Sequence, residues 1–153
     1  SKNQKLIIRN PKSKRPWQHL LEPLSGYILL AKKLYKNKGS KFSGAWNFGP
    51  DESNHSSVYQ FANSLKYKMQ SKSKIIIKST NQKLEKKQLS LNSRKAKKVL
   101  GWSPTLNENL SVKLTAEWYL AFFQKKNMLE YSKKQIIEFC KTSNFFKHDL
   151  QKL

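Results

Sequence analysis

The first half of the chain alternates short strand-like apolar runs with a helical repeat. Leu6–Ile8 predicts a strand. Glu22-Pro23 predicts the start of a helix over residues 23–37, because proline at the first helical position has no N–H to lose. The apolar side chains of this helix recur at three- and four-residue spacing: Leu24, Tyr27, Ile28, Leu30, Ala31, Leu34 and Tyr35. Residues 45–48 then predict a second short strand.

The middle of the chain continues this alternation. Ser56 or Ser57 is placed to cap the next helix. Ile75–Ile77 is a β-branched run between polar flanks and predicts a strand. Leu89 and Leu91 alternate with polar residues, as in a half-exposed strand. The order of these elements predicts a mixed α/β unit.

Capping signals define the helices of the last third. Ser93 is expected to cap a short helix that ends at Gly101. Thr105–Glu108 has the spacing of a capping box and predicts a helix over residues 106–124. A final helix is expected to begin after Ser132.

Charge raises the question of a polyanionic partner. The 153 residues include 31 Lys and Arg against nine Asp and Glu, a formal net charge of +22. Only three of the basic residues are arginine, the side chain best suited to bidentate base and phosphate recognition. The lysines are spread singly and in pairs, with no block of five or six. We therefore interpret them mainly as solvated surface positions and do not expect nucleic acid as a partner. A polyanion-binding module is the alternative.

Several classes of protein are excluded by what the sequence lacks. No run approaches the roughly 18 apolar residues of a membrane span. Cys140 is the one cysteine, which excludes an internal disulfide and a cysteine-based zinc site and favours a reducing, cytoplasmic compartment. The three histidines lack metal-ligand spacing, and His19 is expected to be a satisfied polar group in a short strand. We expect no metal site.

Motifs for catalysis are also lacking. The five glycines, at positions 26, 39, 44, 49 and 101, form no phosphate-binding or dinucleotide-binding loop. No tyrosine is followed four positions later by lysine. We assign no catalytic residue, and the residues by themselves predict a binding or accessory domain.

One specific segment adds a resemblance to a known family. Arg15–Tyr27, with the sequence RPWQHLLEPLSGY, resembles a stretch in the substrate-binding half of CDP-glucose 4,6-dehydratases, which are extended short-chain dehydrogenase/reductases. The resemblance continues at residues 8–11, 45–50 and 100–104, and order and spacing agree over roughly residues 5–140.

The resemblance implies the fold class and a partial enzyme. It implies an α/β fold, the substrate-binding C-terminal part of an extended short-chain dehydrogenase/reductase, without the N-terminal Rossmann-type nucleotide-binding core. Residues 1–141 are expected to form this part, and residues 142–153 an unassigned tail. The sequence is expected to be a truncated enzyme whose partner is the missing N-terminal Rossmann half. The parent enzyme is expected to be a homo-oligomer.

The same resemblance implies a reaction. The family dehydrates CDP-glucose to CDP-4-keto-6-deoxyglucose with a tightly bound NAD, for deoxysugar synthesis. The NAD site and the catalytic Tyr-x-x-x-Lys pair belong to the N-terminal half, so NAD is expected only in the parent enzyme and this chain is expected to be inactive alone. A related sugar-nucleotide dehydratase or epimerase with another nucleotide preference is the alternative within this class.

Five residues are implied as substrate-binding. By resemblance, Arg15 faces the nucleotide pyrophosphate, where a charge-assisted fork is favourable, with a surface arginine before a proline as the alternative. Ile8 and Arg9 lie on the strand edge that lines the base, with an ordinary core strand as the alternative for Ile8. Trp17 packs either on the nucleotide or in the core. Glu85 accepts the ribose hydroxyls, or is a solvated charge.

Stability follows from the expected architecture. Residues 46–48 would return to a sheet whose other strands this chain lacks, which leaves unpaired edges. We expect marginal stability in isolation, with the helices over 23–37 and 106–124 the firmest elements.

Overall fold

The computed structural model describes residues 4–36, 40–51, 55–78 and 87–143. These residues form a mostly helical structure with a small two-stranded sheet. The elements in chain order are β1 (Leu6–Ile8), α1 (Leu21–Lys36), a 3-10 turn (Ser40–Phe42), α2 (Val58–Lys68), β2 (Ile75–Ile77), a π turn (Ala96–Leu100), α3 (Glu108–Phe123) and α4 (Met128–Thr142).

The sheet consists of the two strands that the apolar runs predicted. They pair in parallel, with Leu6 opposite Ile75 and Ile8 opposite Ile77. Beyond the last pair, the Lys78 N–H donates to the carbonyl oxygen of Ile8 at 2.9 Å. The carboxyl ends of both strands therefore meet at one edge.

The core lies where α1 packs against the 3-10 turn and the π turn. Its buried members are Phe42, Phe48, Ala96, Leu100 and Trp102, with Leu29, Leu30, Leu34 and Trp46 packed against them. The Phe48 and Trp102 rings meet edge to face at 5.1 Å. Gly26 allows the Phe48 ring to pack closely on α1, because a Cβ there would lie 2.2 Å from this ring. The helix predicted over residues 23–37 is thus confirmed and anchors the core.

Two predicted strands are wrong. Residues 45–48 form no strand, and the segment is instead held by side chains from the start of the π turn. The Ser93 hydroxyl accepts from the Gly49 N–H at 2.8 Å, and Lys95 Nζ donates to the carbonyl of Ala45 at 3.0 Å. Leu89 and Leu91 also lie outside any strand, because this stretch pairs only through an isolated bridge at Gln88.

The capping predictions are partly confirmed. Ser57 caps α2, where its side chain and that of Gln60 form a reciprocal capping box. Gly101 ends the π turn in the left-handed conformation, with φ 73°. The Ser93 hydroxyl, in contrast, hydrogen-bonds to the backbone of Gly49 rather than capping its own helix.

The last two helices begin elsewhere than predicted. Asn107, not Thr105, is the N-cap of α3, and its side chain accepts from the Leu110 N–H. Asn127 is the N-cap of α4, four residues before Tyr131 and well before Ser132. Ser132 lies inside α4, where its hydroxyl accepts from Trp118 Nε1 at 3.0 Å. Within the described ranges, no helix has the length and apolar character to cross a membrane.

Candidate functional site

A main-chain junction centred on Lys14 fixes the segment implied to bind the nucleotide. The Lys14 N–H donates to the carbonyl of Lys87 at 2.8 Å, and the Lys14 carbonyl accepts from the Leu89 N–H at 3.2 Å. On the other side, the carbonyl of Ser13 accepts from the Val58 N–H at 2.9 Å. Because the backbone is bonded on both sides, the residue that follows Lys14 has a defined position.

That residue is Arg15, which is half-buried. Its Nη1 donates to the carbonyl oxygen of Lys14 at 2.8 Å. A guanidinium carries its N–H donors in a planar fork, and this bond orients the group. The structure thus holds Arg15 at the junction between α2 and residues 87–89.

Two further cations lie at the carboxyl end of the sheet. Arg9 follows β1 and Lys78 follows β2, and both are exposed. Parallel α/β sheets bind ligands outside the carboxyl ends of their strands. We use the name cationic edge for these two cations together with Lys14, Arg15 and Lys87, which lie at the main-chain junction. Its positive charge suits an anionic ligand.

Lys14, Lys78 and Lys87 were missed by the sequence reasoning. The signal for Lys78 was present, since Ile75–Ile77 is followed by a cation as Leu6–Ile8 is followed by Arg9. For Lys87 no signal existed, because its pairing with Lys14 depends on tertiary contacts.

Ile8 and Trp17 are both engaged by the protein itself. The Ile8 side chain is buried, and its carbonyl already accepts from Lys78. The Trp17 ring stacks on Phe61 with centroids 4.0 Å apart, and its Nε1 donates to the carbonyl of Ser56 at 3.0 Å. One face of Trp17 and its polar edge are therefore occupied, and nucleotide packing on Trp17 stays a prediction, as does the base-lining role of Ile8.

Glu85 lies outside the described residues, and its ribose-binding role stays a prediction. Within the described part of the chain, no cluster of three metal-ligating side chains occurs.

Glu22 is a buried carboxyl that links α1 to the segment before α3. It is 0% exposed, and its Oε1 accepts from the N–H groups of Thr105 at 2.9 Å and Leu106 at 2.5 Å. Burial raises the pKa of this carboxyl, and the two backbone hydrogen bonds partly offset the rise. Glu22 thus ties two elements together rather than facing the cationic edge.

His19 is the other buried titratable group near α1. Its Nδ1 accepts from the Leu21 N–H at 3.3 Å, and burial lowers its pKa. The expectation of a satisfied polar group holds for Nδ1, but residues 15–19 form no strand. Residues 15–20 connect directly to α1.

Comparison with known proteins finds a relative of similar sequence. No family model matches this chain. A CDP-glucose 4,6-dehydratase from Salmonella typhimurium is 37% identical over 137 residues, which cover 90% of this chain. This chain is similar to one part of that dehydratase. It spans 38% of the length of this relative. The resemblance stated from the sequence is confirmed.

Two solved structures confirm the fold. The UDP-N-acetylglucosamine 4-epimerase from Bacillus cereus matches with a TM-score of 0.55 and 20% identity, over 75% of this chain and 38% of its own. RMD from Pseudomonas aeruginosa, complexed with NADPH, matches with a TM-score of 0.52 and 14% identity, over 74% of this chain and 34% of its own. The fold therefore matches part of each of these two structures, as the resemblance implied.

The residues between β1 and α1 do not fit a dinucleotide cofactor. Residues 9–20 contain no glycine, whereas the dinucleotide fingerprint needs a glycine-rich turn for close approach of the pyrophosphate to a helix N-terminus. The first turn of α1 carries the Glu22 carboxyl instead. An acidic side chain buried at this helix start disfavours a phosphate there.

Proposed function

We propose that this chain supplies the nucleotide-binding portion of a CDP-glucose 4,6-dehydratase-like lyase. The parent enzyme converts CDP-glucose to CDP-4-keto-6-deoxyglucose and water, with NAD bound by its N-terminal half. The observation that carries the proposal is the fixed position of Arg15, the first residue of the segment that resembles the family, next to Lys14 and its partner Lys87. The similarity to the Salmonella dehydratase supports it.

The proposed roles follow from the chemistry of each group. Arg15 binds the pyrophosphate, because its fork can donate two parallel hydrogen bonds to phosphate oxygens. Arg9 and the Ile8 edge lie beside the base, and Trp17 packs on the nucleotide. Glu85 accepts the ribose hydroxyls. These roles are binding roles, and none of the five residues is assigned a chemical step.

The proposed partner is an N-terminal Rossmann half, and the outer face of α1 supports this. Leu24, Ile28 and Tyr35 are exposed at four- and seven-residue spacing along one face of α1. A contiguous apolar face of this kind marks an interaction surface. We propose that the chain has no turnover until this half is present, and that the parent enzyme is a cytoplasmic homo-oligomer.

Calorimetric titration of the full chain with CDP-glucose, CDP and UDP-glucose tests the proposal. We expect CDP compounds to bind more tightly than UDP-glucose. Arg15→Ala should weaken CDP binding by about tenfold or more, because it removes charge-assisted hydrogen bonds. Lys36→Ala, at the far end of α1, removes one positive charge as a matched control and should leave the affinity nearly unchanged.

A short DNA duplex, titrated at two salt concentrations, tests the polyanion alternative. Tight DNA binding with a steep salt dependence, together with no preference among nucleotides, would contradict the proposal. Preference for UDP-glucose would instead indicate a related epimerase or dehydratase.

A further inference from the structure

A cavity lies apart from the cationic edge, between the start of α1 and the helices α3 and α4. Its volume is about 410 Å³, within the range of small-molecule sites. Its apolar walls are formed by Leu20, Leu21, Leu24, Trp118, Tyr119 and Ile136. Apart from His19, no acidic or basic side chain is among the described residues that line it.

His19 supplies a hydrogen-bond donor to this cavity. The residue is only 8% exposed and lines the cavity wall. Because its Nδ1 accepts from the Leu21 N–H, a neutral imidazole carries its proton on Nε2. Nε2 has no hydrogen-bond partner within the described ranges. An occupant that excludes water from this donor is favoured if it accepts a hydrogen bond from it, because a donor buried without a partner is costly.

Gln135 and Ser132 add further polar groups. Gln135 is 9% exposed, and its Nε2 donates to the carbonyl of Leu114 at 2.9 Å, which leaves Oε1 as an acceptor. The Ser132 hydroxyl accepts from Trp118 Nε1 and keeps its own proton to donate. The cavity therefore offers both donors and an acceptor, inside apolar and aromatic walls.

We propose that this cavity binds a neutral ring compound that carries adjacent hydrogen-bond acceptor and donor groups, as a lactam does. The ring packs against Trp118 and the leucine side chains, its acceptor pairs with His19 Nε2–H, and its donor pairs with Gln135 Oε1. A charged ligand is disfavoured, because a buried charge without a counterion is costly. This site goes beyond the proposed nucleotide-binding function.

Titration of the full chain with 2-pyridone, followed by NMR, tests the proposal. We expect saturable shifts of the His19 ring protons and of the Trp118 indole N–H. Benzene, which has no polar group, should bind more weakly, and benzoate should not compete despite the positive charge of the chain. Equal affinity for benzene would overturn polar recognition, and tighter binding of benzoate would overturn the preference for neutral ligands.

Two substitutions at His19 distinguish the roles of its two ring nitrogens. His19→Asn keeps an acceptor near the Nδ1 position for Leu21 but lacks the distal donor, and His19→Gln keeps a distal donor. We expect His19→Asn to weaken 2-pyridone binding about threefold to tenfold, with benzene unaffected and His19→Gln closer to the wild type. Unchanged 2-pyridone affinity in His19→Asn would contradict the assignment. If His19→Asn fails to fold, NMR contacts between 2-pyridone and the His19 ring protons of the wild type test the assignment instead. Binding of 2-pyridone without such contacts would overturn the assignment. CDP-glucose binding, measured in parallel, reports on the cationic edge alone.

Discussion

At the scale of single residues, Glu22 has the most unusual environment. Its carboxyl is fully buried and accepts two backbone hydrogen bonds, while Oε2 has no partner in the described part of the chain. The sequence placed this residue at a helix start but gave no sign of its contact with Thr105, 83 positions away. Such long-range polar contacts arise only when the chain has folded.

The raised pKa of Glu22 predicts a pH dependence of stability. The folded state keeps the Glu22 proton to higher pH than the unfolded state does. This group therefore contributes most stability below its unfolded pKa, and the contribution is lost as pH rises through its folded pKa. We expect the free energy of unfolding of the wild type, relative to that of Glu22→Gln, to fall as pH rises from about 4 to about 7.

Urea denaturation of both proteins across this range is the measurement. The comparison must be between variants, because His19, whose pKa is lowered by burial, acts in the opposite direction. It contributes stability above its unfolded pKa and loses it as pH falls. Parallel curves for the wild type and Glu22→Gln would show that Glu22 does not titrate in this range.

At the scale of elements, the apolar patterns were more informative than the capping motifs. Both described strands and the helix at Glu22-Pro23 follow directly from runs and repeats in the sequence. The capping box at Thr105 was wrong because the Thr105 N–H bonds to Glu22, and the chain turns into α3 only at Asn107. The strand at residues 45–48 was wrong because side chains from the π turn hold that segment.

The position of the α3 cap gives a prediction. Asn107→Ala removes the oxygen that accepts from the Leu110 N–H and should lower the free energy of unfolding by about 1 kcal/mol. Thr105→Ala is the matched control, because the structure assigns no cap role to the Thr105 side chain. Urea denaturation measures the free energy of unfolding of both variants. A larger loss of this free energy for Thr105→Ala than for Asn107→Ala would support the capping box predicted at Thr105.

At the scale of the whole molecule, the sequence predicted the fold class but only part of the candidate site. The segment around Arg15 was specific enough to imply both the family and the nucleotide. The cationic edge as a set was not predictable, because Lys14 and Lys87 meet through backbone pairing between distant segments. Glu85 lies outside the described residues, and its role stays a prediction.

The net charge of +22 gives the last prediction. Among the described residues, the four ion pairs are between exposed side chains and contribute little, so most of the positive charge is uncompensated by contacts. Like charges repel one another more in the compact state than in the expanded unfolded chain. Raising NaCl from about 0.05 to about 0.5 M shortens the Debye length from roughly 14 to roughly 4 Å and should screen this repulsion. We expect the melting temperature in calorimetry to rise by several degrees. A melting temperature that falls with added salt would show instead that attractive ion pairs dominate, and a sharp transition above about 70 °C at low salt would contradict the expected marginal stability.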